Sequence, residues 1–93
     1  MMSSIYKKKE NIVTRDIAGE TLLVPVHGKL ADMQKIFALD SVAAFIWEKL
    51  NGKTALQEIC EAVSTHFDVN PNQAEADTRE FVRELLDAGL VEA

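Results

Sequence analysis

β-branched and apolar residues gather in short runs in the first part of the chain, and further on the apolar ones recur every three or four positions. "NIVTRDI" (residues 11–17) and "ETLLVPV" (residues 20–26) are β-branched and apolar runs on either side of Ala18-Gly19. That is the pattern of two strands joined by a tight hairpin turn. Pro25 has no N–H to give a ladder, which places the end of the second run at an edge or a bulge. "HGKLADMQ" (27–34) reads as a loop. "KIFAL" (35–39) reads as a third strand, because Asp40 follows directly as a helix N-cap.

From Asp40 onward the period is helical. Val42, Phe45, Ile46 and Leu50 share one face over residues 41–50, with Trp47 toward its edge, and Asn51-Gly52 closes this first helix. Thr54 and Gln57 form a capping box for a second helix, in which Leu56, Ile59, Cys60, Val63 and Phe67 line up on one side. Asn70, Pro71 and Gln73 repeat the start signal, with proline at the first helical position. The third helix runs to about Ala88, Gly89 ends it, and Leu90-Val91 return toward the core. The expected fold is α+β, of the winged helix-turn-helix type: two to three N-terminal strands in a small antiparallel sheet, then three helices. Residues 1–11 are polar and are expected to form a flexible tail, leaving 12–93 as a single domain.

The third helix carries two apolar arcs. Ala74, Thr78, Phe81, Leu85 and Ala88 form the expected core stripe. Val82 and Leu86 lie roughly 100° away, with Glu75 and Arg79 beside them. Two readings of the second arc stand side by side. In one, Val82 and Leu86 pack under the sheet or the C-terminal residues. In the other they floor a groove beside the edge strand 35–39, whose free N–H and C=O groups pair with an incoming extended peptide. Lys35 and Arg79 then meet acidic residues of that peptide.

Size and charge narrow the function classes. A chain of 93 residues holds one domain and leaves little room for both a core and a deep catalytic pocket. Its formal charge is −5, and between Pro71 and Ala88 five carboxylates face two guanidinium groups. That is a poor recognition helix for a polyanion, which disfavours the alternative of a DNA-binding winged helix. The basic run Lys7-Lys8-Lys9 reads as a solvated tail. One cysteine, Cys60, excludes an internal disulfide, and its apolar helical neighbours make it a small hydrophobe rather than a nucleophile. His27 and His66 belong to no spaced metal-ligand set, and no glycine-rich phosphate loop is present. No apolar run approaches the ~18 residues of a membrane span, and the start shows no signal-peptide pattern, so a cytoplasmic location is expected. A non-catalytic binding module without cofactor remains, the other candidate being a general interaction or oligomerisation domain.

The order of these features resembles the PqqD-like family. Leu22-Leu23, Leu39-Asp40, Ile46-Trp47, Asn51-Gly52, Thr54, Glu58-Ile59, Asp77, Phe81-Val82, Leu85 and Gly89-Leu90 carry the likeness, over about residues 12–91. The resemblance implies a peptide chaperone. It would bind the leader of a ribosomally made precursor between the third strand and the third helix and present it to a modifying enzyme, often a radical SAM protein. The pathway implied is pyrroloquinoline quinone biosynthesis or that of a related modified peptide. The peptide-binding residues expected are Lys35, Ile36, Phe37, Ala38, Leu39, Glu75, Arg79, Val82 and Leu86, with no catalytic residue and no metal ligand.

Overall fold

The computed structural model describes residues 3–10, 12–25 and 37–93. Its elements in chain order are β1 (Ile5–Lys8), β2 (Ile12–Ile17), β3 (Glu20–Pro25), β4 (Phe37–Leu39), α1 (Ser41–Lys49), β5 (Asn51–Ala55), α2 (Leu56–His66), α3 (Pro71–Asp87) and β6 (Val91–Glu92). The fold is α+β, with three helices beside two small antiparallel sheets ordered β2-β3-β4 and β5-β1-β6.

The hairpin forms as its sequence directs. Ile17 pairs with Glu20, so Ala18 and Gly19 are the whole loop. Both have positive φ, at 54° and 84°, the twist a two-residue turn needs to match right-handed strands. β4 joins the other side of β3 through Thr21–Leu39, Leu22–Ala38 and Leu23–Phe37. The pleat puts Leu23, Phe37 and Leu39 on the core face and Leu22 and Ala38 on the opposite face. Trp47 stands under this sheet at 1% exposure, and its Nε1–H donates to the Thr14 hydroxyl at 3.1 Å.

The second sheet lies outside the sequence expectation. Residues 5–8, read as part of a loose tail, form β1 between β5 and β6. Tyr6 gives this strand its buried anchor, and one aromatic among lysines is too little alternation to announce a strand. Asn51-Gly52 closes α1 but also opens β5. The Asn51 carboxamide oxygen accepts from the backbone N–H of Lys53 and Thr54 and from the Thr54 hydroxyl. Thr54 therefore does not cap α2. The cap position is Ala55, whose N–H donates to the Glu58 carboxylate.

Asp40 caps α1 through the Ala43 N–H at 2.8 Å, and Asn70 caps α3 through the Asn72 N–H at 2.8 Å. Gln73 completes no box; it donates to Asp77 one turn on. α3 ends at Gly89, φ 76°, where the Gly89 N–H reaches the Leu86 carbonyl and the Leu90 N–H that of Leu85. That is a Schellman closure, which needs a left-handed residue. It turns Leu90 and Val91 into the core at 0% and 2% exposure and starts β6. The residues filling the interior between sheets and helices include Leu23, Ile46, Trp47, Leu50, Leu56, Ile59, Val63, Val82 and Leu85.

Candidate peptide-binding site

β4 is an edge. β3 occupies one side, and no strand lies across its other side among the described residues. It is held by the burial of Leu39 and the half-burial of Phe37 beneath β3, while Ala38 faces outward. Lys35 and Ile36, expected in the same strand, lie outside the described residues, as does the loop 27–34.

Where β4 ends, a groove of about 390 Å³ opens between the start of α1 and one flank of α3. Val42, Ala43 and Ile46 line it from α1, and Phe81 lines it from α3. Asp40, Asp77, Glu80 and Glu84 stand around this apolar strip. The helical repeat explains the grouping: Asp77, Phe81 and Glu84 recur at four and three residues, so they share one side of α3.

Val82 is not on that side. It is fully buried, at 0% exposure, and belongs to the core. One step along α3 turns the chain by about 100°, enough to carry position 82 from the groove margin to the interior. The side chain has no exposed atom to offer a peptide. Its neighbour Phe81, placed by periodicity in the core stripe, is only half-buried and faces the groove. Glu75 and Arg79 also lie away from the groove. They form an i,i+4 ion pair at 3.6 Å, and Glu75 lines a separate cleft against Gln57, Cys60, Glu61 and Ser64 of α2. Leu86, half-buried, follows on the same arc by the helical repeat. Glu75 thus looks toward α2, Val82 toward the interior and Arg79 outward, while the arc centred on Phe81 looks toward α1 and the end of β4. Periodicity revealed that α3 has two apolar sides. It held no sign of which neighbour each side meets. The carboxylates at 77, 80 and 84 were visible in the sequence but are what any solvated helix shows.

Cys60 is buried, and burial pushes its thiol pKa up, opposed in part by the Thr78 hydroxyl. Among the described residues no three His, Cys, Asp or Glu side chains stand close enough to hold a metal ion. No helix among them is long and apolar enough to cross a membrane. An edge strand beside an apolar groove suits the capture of an extended peptide, whose backbone would pair with the strand while alternate side chains enter the groove.

The family model described as coenzyme PQQ synthesis protein D (PqqD) matches residues 20–91. Comparison with the curated proteins gives no significant match. Among solved structures, one described as TbiB1 in complex with the TbiA(beta) leader peptide is similar at 28% identity and a TM-score of 0.75. That alignment covers 94% of this chain and 95% of the other. A structure described as lasso peptide synthetase B1 complexed with the leader peptide shares the fold at 16% identity and a TM-score of 0.78, with 97% of this chain and 100% of the other covered.

Proposed function

Since this chain belongs to the PqqD family, we propose that it is a non-catalytic recognition module for the leader of a ribosomally made precursor peptide. The observation that carries this reading is the conjunction of an edge strand, β4, with an apolar groove opening at its end. The leader pairs its backbone with Phe37, Ala38 and Leu39 and seats an apolar side chain against Val42, Ala43 and Phe81. The likeness at 28% identity to a structure solved in complex with a leader peptide supports the peptide-binding role.

Bound in this way, the peptide is held extended and its remaining length stays free. That suits delivery to a separate modifying enzyme, and a radical SAM enzyme is the partner the family suggests. Main-chain pairing supplies affinity with little sequence demand, and the groove supplies choice.

The test is an amide NMR titration of the labelled chain with synthetic peptides copied from short open reading frames beside its gene. Shifts concentrated in residues 37–46 and 77–84 are the expected result. Shifts confined to the α2–α3 cleft, around residues 57–65 and 75, would move the site. Spectra that no peptide perturbs would remove the function.

A further inference from the structure

The groove is apolar along its floor and acidic around its rim. Its four charged lining residues, Asp40, Asp77, Glu80 and Glu84, are all carboxylates. Arg79 pairs with Glu75, and Arg79 and Arg83 line an outer cleft whose wall Glu80 and Glu84 share. Neither arginine lines the groove. Among the described residues no ion pair reaches the four carboxylates. Asp77 accepts a hydrogen bond from the neutral Gln73 amide. The positive end of α1, which would otherwise favour an anion, is met by its own cap, Asp40. No three of the carboxylates stand close enough to hold a metal ion, but Asp77, Glu80 and Glu84 follow one side of α3 over two turns, the spacing of a peptide lying along it.

We infer, building on the peptide-binding reading above, that the leader segment seated in this groove is basic: an apolar anchor residue flanked by lysine or arginine. The apolar residue covers Phe81 and Val42, and the flanking cations reach Glu80 and Glu84 on one side and Asp40 or Asp77 on the other. A segment with acidic residues there would meet four like charges around one small strip and be rejected. The rim thereby sets sequence choice at a place where strand pairing is indifferent to side chains.

The experiment is a selection from a random twelve-residue synthetic peptide library. The wild-type chain and two variants are used, Glu80→Lys/Glu84→Lys and Glu80→Gln/Glu84→Gln. Both positions are exposed, so the variants should keep the fold, which far-UV circular dichroism checks. Wild type should enrich Lys or Arg next to an apolar residue, and the lysine variant should enrich Asp or Glu at the same place. Wild-type binders should lose about fivefold in affinity per contact removed in the glutamine variant. Binders that shift β4 amides yet show no charge preference, or the same preference in all three proteins, would overturn the inference and leave peptide binding intact. A library that yields no binder to wild type would overturn both.

Discussion

Phe81 and Val82 stand about 100° apart on α3, and their substitutions should fail in different ways. Phe81→Ala removes the aromatic wall of the groove from a half-buried position. It should lower peptide affinity tenfold or more by calorimetry, while unfolding stability falls by only about 1–2 kcal/mol. Val82→Ala deletes two methyl groups from a fully buried site. It should cost about 2 kcal/mol in urea unfolding and leave the affinity of the folded protein nearly unchanged. If Val82→Ala abolished binding without lowering stability, the division of α3 into core and groove sides would be wrong. Cys60 gives a pH prediction. Burial raises its pKa in the fold, so the native state holds the thiol proton more firmly than the unfolded chain. Its contribution to stability is full below the ordinary thiol value of about 8.5 and is lost as the pH rises above it. Urea midpoints measured from neutral to alkaline pH should decline, and Cys60→Ala should show a shallower decline.

Two features of the β2–β3 hairpin set how firmly the binding edge is held. Ala18 sits at φ 54°, a left-handed conformation that costs a non-glycine residue about 1–2 kcal/mol. Asparagine tolerates that conformation, so Ala18→Asn should raise stability by about 0.5–1 kcal/mol and the melting temperature by a few degrees. A drop would show that the turn differs from the one described. The hydrogen bond from Trp47 to Thr14 ties this hairpin to α1. Thr14→Val keeps the shape but leaves the indole N–H without its acceptor, which should cost about 1–3 kcal/mol. Faster amide exchange should follow in β3 and β4, the strands that carry the binding edge.

Across the whole molecule, charge separates a peptide binder from a nucleic-acid binder. The helix that would enter a major groove has five carboxylates against two guanidinium groups over residues 71–88. Random duplex DNA at low salt should therefore not be retarded in a gel by this chain, and a salt-sensitive shift would reopen the winged-helix alternative. The amino-acid sequence by itself determined what depends on local spacing. It set the hairpin, three helices, the starts of two of them at Asp40 and Asn70, the closure of α3 at Gly89, and the apolar face of α2. The joint order of these features also pointed to the family. Only the tertiary structure decided that residues 5–8 form a strand, because the partners of β1 come from β5 and from β6 at the far end of the chain. It likewise decided which side of α3 meets the groove. A helical wheel fixes the angle between Phe81 and Val82, but the neighbour that each angle faces is set by how α1, α2 and the sheet pack around α3.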